Sequence, residues 1–243
     1  MKITYGDQTI DFKCPDKVLI SLSGGLDSAA LLYLMCYHFP DTEIVPYTGH
    51  DVTAPMDYEC AKDIIQYMRE TFPTANIKEH DVYKFDIWDE EWRQLARERM
   101  DKETTTTSDG TVIPKFTVLS GLVKVLMLRS NAERLVEEYP DHIILTGMTA
   151  NPPVEEQRKY NFYDVAERRR DRRDNNPFMV NLYQPLMNVD KKFVAGVYKD
   201  HKLMDTVYPF TSSCVGSERD TEYFTKGCGK CFWCSEKKWA FET

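Results

Sequence analysis

No stretch of this 243-residue chain approaches the ~18–20 consecutive apolar residues that a membrane span needs. The opening residues, Met1-Lys2-Ile3-Thr4-Tyr5-Gly6-Asp7, lack the basic-then-apolar form of a secretory leader, so the chain reads as cytoplasmic. Positive charge is in deficit: 31 Lys and Arg stand against 39 Asp and Glu, for a net charge of −8. That balance disfavours sequence-blind binding to nucleic acid. One basic run departs from it, Arg168-Arg169-Arg170-Asp171-Arg172-Arg173, where a solvated face is favoured over a patch for phosphates or a tRNA-like partner. Neither G-x-x-x-x-G-K nor G-x-G-x-x-G occurs, which excludes the Walker A loop and the dinucleotide fingerprint. There are no internal repeats, no Cys/His nucleophilic pair and no glutamine-hydrolysing segment.

The chain does have a 42% hydrophobic content, enough for a real core. It reads as one α/β domain over residues 1–205, with an N-terminal hairpin over 1–14, followed by a C-terminal appendage over 206–243. Core strands are expected at 17–22, 43–47, 76–80 and 142–147, and an extended piece at 182–186. Helices are expected at 28–38, 55–70, 88–102, 116–138 and 191–203, the last capped by Asp190. Thr104 to Gly110 is polar and turn-rich and reads as a flexible loop. Residues 151–178 read as a loop or loose helix over the site. Strands alternating with helices imply a Rossmann-like parallel sheet covered on both faces. Ligands of such sheets bind at the carboxyl ends of the strands.

The segment Ser21-Leu22-Ser23-Gly24-Gly25-Leu26-Asp27-Ser28 lies between an apolar strand pattern and an apolar helix pattern. Two glycines allow a sharp turn and close approach to a ligand. The N–H groups and positive dipole end of the following helix then favour an anion. Ser23 and Ser28 add hydroxyls, and Asp27 can hold the cation that accompanies phosphate. Tyr47–Asp51 and Gly147–Asn151 fall at the ends of neighbouring strands. Tyr47 and Gly147 are therefore candidate nucleotide contacts, with a plain strand-to-helix turn an equal reading for 47–51.

Seven cysteines are present. Cys14, Cys36 and Cys60 are scattered, and Cys36 reads as a small buried hydrophobe. Cys214, Cys228, Cys231 and Cys234 form C-x13-C-x2-C-x2-C, the pattern of an all-sulfur site in which Gly227 and Gly229 tighten the backbone. Four soft thiolates suit structural Zn²⁺, with an iron–sulfur cluster as the competitor. Metal binding would staple the last ~30 residues onto the core.

The SGGLDS loop resembles the PP-loop of the ATP pyrophosphatases, which cleave ATP between its α and β phosphates. Together with Ile144-Leu145-Thr146-Gly147-Met148-Thr149-Ala150-Asn151, Gln184-Pro185-Leu186-Met187-Asn188-Val189-Asp190-Lys191, and Thr211-Ser212-Ser213-Cys214 with the C-terminal cysteines, it resembles the 7-cyano-7-deazaguanine synthase (QueC) family as a divergent member. The resemblance implies an ATP-dependent nitrile or amide synthetase acting on 7-carboxy-7-deazaguanine and ammonia. It implies ATP, Mg²⁺ and Zn²⁺ as cofactors and a homodimer. Asp27, Ser28 and Lys191 are the implied catalytic groups, with Lys191 a point charge for pyrophosphate or else a surface lysine. Three segments depart from the family pattern: Tyr47-Thr48-Gly49-His50-Asp51, Pro114-Lys115-Phe116-Thr117 and Asn151-Pro152-Pro153-Val154-Glu155-Glu156. These should line the substrate side. A PP-loop enzyme of tRNA thiolation and a repurposed adenylating protein with another acceptor are the alternatives.

Overall fold

The computed structural model describes residues 1–53, 56–100, 102, 104–106, 112–114, 119–153, 155–156, 181–214, 229 and 231–242. An antiparallel hairpin, β1 (Lys2–Tyr5) and β2 (Gln8–Asp11), precedes the domain. The main sheet holds β3 (Lys17–Ser21), β4 (Glu43–Asp51), β5 (Asp81–Phe85), β8 (Ile143–Thr146) and β9 (Leu182–Tyr183). All neighbours in it are parallel, in the spatial order β5-β4-β3-β8-β9. Its helices are α1 (Leu26–His38), α2 (Met56–Thr71), α3 (Glu90–Met100), α4 (Leu119–Glu138), α5 (Lys191–Asp200) and α6 (Phe232–Glu242). No described helix is long and apolar enough to cross a membrane.

Side-chain alternation along β3 and β4 explains why both sheet faces are covered. Val18, Ile20 and Ile44 pack with α1, α2 and α5, while Leu19, Val45 and Tyr47 pack with Ile144 and Leu135 of α4. The hairpin docks on α5: Gln8 donates to Asp190 Oδ1 at 2.8 Å and accepts from Asp190 N at 2.8 Å. Asp190 in turn caps α5 by accepting from Lys192 N at 2.9 Å. Strand order runs one way from β3 to β4 and the other way from β3 to β8. The carboxyl end of β3 is therefore the switch point at which an open α/β sheet leaves a crevice.

Two expectations need correction. The third strand is Asp81–Phe85 rather than 76–80; Ile77 makes only a single bridge to Ile44. Thr104–Thr106 is not loop but strand β6, paired antiparallel with β7 (Val112–Pro114), as β-branched threonines allow. The basic run 168–173 and most of 151–178 lie outside the described residues.

A candidate nucleotide and metal site

The loop between β3 and α1 is built by packing. Gly24 holds φ +71°, a conformation that favours glycine, and a Cβ there would lie 2.6 Å from Asp57 O and 2.7 Å from Cys60 Cβ. Gly25 is the N-cap of α1 and brings no side-chain acceptor to the first-turn N–H groups. Such a helix start favours an anion. Inside the turn, the Ser28 hydroxyl donates to Gly25 O at 3.1 Å and accepts from Ser23 N at 3.3 Å. The Ser23 hydroxyl meets it at 3.3 Å and is itself exposed.

Neighbouring segments close around this turn. Gly147, just past β8, lies directly against it, since a Cβ there would be 2.7 Å from Asp27 C and 2.8 Å from Ser28 N. From the other side, Ser212 N donates to Gly24 O at 2.9 Å and the Ser212 hydroxyl donates to Met56 Sδ at 3.3 Å. Leu26 N reaches the Ser213 hydroxyl at 3.5 Å. Thr48 donates to Leu22 O at 2.6 Å and meets His80 Nε2 at 2.8 Å. Burial and the nearby Arg69 push His80 down to about 4, so it stands as a neutral ring. His50 and His80 both stack with Tyr58, with centroids 4.5 Å and 5.9 Å away.

The predicted nucleotide residues are not all placed alike. Ser21, Leu22, Ser23, Gly24, Gly25, Leu26, Asp27 and Ser28 run from the end of β3 through the turn into the first residues of α1, and Gly147 lies against Asp27 and Ser28. Tyr47 meets the loop through its main chain, accepting from Leu22 N at 2.9 Å. Its ring is buried against α4, where burial pushes the phenol up to about 12. Residues 47–51 are strand throughout rather than a turn.

Lys191 is not a surface lysine. It is 1% exposed at the start of α5, 3.1 Å from Asp27 Oδ2 and 3.0 Å from Glu236 Oε2. Glu236 is fully buried on α6. Sequence reasoning missed it, and gave Ser212 and Ser213 only as part of the Thr211–Cys214 segment, with no role at the loop.

Cys214, Cys231 and Cys234 bring their sulfurs within 4.8 Å of one another. Tetrahedral Zn–S bonds of ~2.3 Å would set them about 3.8 Å apart. The three therefore fit a metal after a contraction of at most about an ångström, and the donor set is soft. Cys228 lies outside the described residues. Burial pushes the Cys234 thiol up to about 12, so its ionisation would come only with a cation bound beside it. Cys214 is two residues beyond Ser212, so one short segment serves both the loop and the cysteine cluster.

A family model described as "Queuosine biosynthesis protein QueC" matches residues 17–243. No curated protein matches the chain. Among solved structures, a U34-tRNA thiolase NcsA from Methanococcus maripaludis with its 4Fe–4S cluster is similar at 15% identity and a TM-score of 0.48. The match covers 91% of this chain and 63% of that one. A glutamine-dependent NAD+ synthetase from Acinetobacter baumannii in complex with ADP is similar at 12% identity and a TM-score of 0.45, over 78% of this chain and 29% of that one.

Proposed function

The chain belongs to the QueC family of queuosine biosynthesis, and from that premise we propose that it is an ATP-dependent synthetase that turns 7-carboxy-7-deazaguanine and ammonia into 7-cyano-7-deazaguanine. The observation that carries this reading is the family match itself, which runs unbroken from β3 through the loop to the last cysteine.

A carboxylate oxygen is a poor leaving group, and adenylation makes it a good one. The substrate carboxylate attacks the α-phosphorus of ATP and pyrophosphate leaves. Ammonia attacks the acyl carbon, AMP leaves with the C–O bond pair, and a proton is lost to give the amide. The amide oxygen is then adenylated by a second ATP, releasing pyrophosphate. Loss of AMP and of the nitrogen-bound protons gives the nitrile.

This chain's own part is to bind and orient. The first-turn N–H groups of α1 and the Ser23 hydroxyl would hold phosphate oxygens. Lys191 would supply a fixed positive charge toward pyrophosphate. Mg²⁺ held at Asp27 would neutralise phosphate charge, and Zn²⁺ on Cys214, Cys228, Cys231 and Cys234 would fix the C-terminal segment. Ammonia would arrive free or from a partner, and the protein would work as a homodimer.

Mass spectrometry of zinc-loaded protein with Mg-ATP, ammonium and the deazaguanine acid tests the reading. The expected products are the nitrile, AMP and pyrophosphate. A reaction that stops at the amide would mark a shortened version of the same chemistry. Bound ATP without any AMP would overturn the deazaguanine reading.

A further inference from the structure

Asp27, Lys191 and Glu236 come from three distant segments and meet in a line. Lys191 Nζ stands 3.1 Å from Asp27 Oδ2 and 3.0 Å from Glu236 Oε2. Exposure falls along that line, from 21% for the Asp27 side chain to 1% for Lys191 and 0% for Glu236. The indole of Trp233 lies 5.8 Å from the ammonium. One cation is thus held between two anions, one facing the loop and one sealed in the core.

A single carboxylate would already neutralise Lys191. The second adds a desolvated charge, which by itself disfavours folding unless it is compensated. Asp27 is also the residue that would hold the cation accompanying phosphate. A carboxylate cannot give its full charge to a divalent cation and to a buried ammonium at once. If Asp27 were the ammonium's one anion, turning it to the cation would strand a buried positive charge.

We propose that Glu236 is a positioning residue that allows Asp27 to leave Lys191. When Asp27 turns to the Mg²⁺ of an incoming Mg-ATP, Glu236 keeps the ammonium neutralised and fixed beside the phosphates. Glu236 lies two residues beyond Cys234 on α6, so the cysteine cluster sets where this second anion stands. The proposal rests on the reading of the loop as an Mg-ATP site.

The test is ATP binding by titration calorimetry, using full-length metal-loaded protein over a range of Mg²⁺ concentrations and with Mg²⁺ withheld. E236Q keeps the shape and removes the charge. It should need about tenfold more Mg²⁺ than wild type for half-maximal ATP affinity, while its Mg²⁺-free affinity stays within about twofold. A Mg²⁺ curve that superposes on wild type overturns the proposal. So does a loss of affinity that is equal with and without Mg²⁺, the mark of a merely structural role. Should E236Q fail to melt cooperatively, D27N carries the test: the proposal requires its ATP affinity to lose the Mg²⁺ dependence, and a Mg²⁺ curve that superposes on wild type overturns it. Wild-type protein that binds no ATP at any Mg²⁺ concentration instead fails the proposed function, and this inference with it.

Discussion

Gly24 in the loop between β3 and α1 and Gly229 in the cysteine segment share the same backbone torsion, φ +71°. A Cβ at Gly24 would collide with Asp57 and Cys60, whereas one at Gly229 meets no described atom within 4 Å. The first turn is held by what surrounds it: Gly147, Ser212, Thr48 and α2 all press on it. The second has thiols where the first has packing, and its shape is left to the ion that those thiols would share. A loop made by packing should fail when a contact is changed. A loop made by coordination should fail when a ligand is removed and tolerate most else.

The largest effect should come from the coordination side. Structural zinc sites contribute ~10–16 kcal/mol of apparent binding free energy, coupled to local folding. Cys231→Ser should lower metal content from about one equivalent per chain to a small fraction, read by elemental analysis. Trp233 and Trp239 sit on α6, so their fluorescence should shift toward that of exposed indole. Ser212 and Ser213 lead into Cys214, so ATP affinity should fall too. Full metal content in the variant would mean that the cluster is not the ligand set.

Next in size are two glycine changes in the packed loop. Gly24→Ala combines strain of ~1–2 kcal/mol with contacts below 3 Å to the Asp57 carbonyl and the Cys60 Cβ, and should destabilise by about 4 kcal/mol or more. Gly147→Ala carries no torsional strain, and its nearest contacts are the backbone of Asp27 and Ser28. It should leave the melting temperature closer to wild type and weaken ATP by about a hundredfold, the scale of a 1 Å misplacement. Equal loss of stability in both variants would remove the distinction between strain and misplacement.

A smaller effect tests the packed loop through pH. His80 bonds Thr48, which bonds the Leu22 carbonyl at the loop's entrance. Its folded-state value is lowered to about 4 from 6.5. Its neutral form is the one the fold accepts, so the stability is whole above pH 6.5 and is lost as pH falls from there toward 4. At pH 5 the loss is about 2 kcal/mol, or ~4–8 °C in Tm, relative to pH 8. His80→Gln should flatten that slope. An unchanged slope would move the acid sensitivity elsewhere.

The loop, the sheet's centre and the cysteine pattern were legible because each carries a local signal. The apolar run Val18-Leu19-Ile20 is buried on both faces, the paired glycines mark the turn, and the thiols are evenly spaced. The strand after α2 was misread because Asp81–Phe85 is an edge strand with mostly half-exposed residues and shows no alternation. Thr104–Thr106 was read by its polarity, when its β-branching was the better guide. Lys191 and Glu236 were harder. Within Asp190-Lys191-Lys192 and Ser235-Glu236-Lys237-Lys238 both look like charges of solvated helix faces. Their burial depends on α5 and α6 packing together through Ala195, Trp239 and Ala240, a long-range fact that no local window holds. Ser212 and Ser213 belong to a segment that carries the family resemblance, but nothing local to them shows that they meet the loop at Gly24 and Leu26.

The smallest expected effect is also the sharpest test of the comparison. At Gly229 a methyl group meets none of the described atoms within 4 Å, so Gly229→Ala should incur little beyond the torsional strain of ~1–2 kcal/mol. In a chain of this size that is a fall of a few degrees in Tm. Metal content should stay near one equivalent, and ATP affinity within about twofold, because neither Cys231 nor Ser212 is disturbed. The measurement is a melt beside elemental analysis, with Gly24→Ala in parallel. Two substitutions of the same residue type, at the same torsion, should then differ several-fold in their cost. If Gly229→Ala instead strips the metal as Cys231→Ser does, the cysteine turn is as closely fitted as the phosphate loop. In that case the same rule of packing governs both.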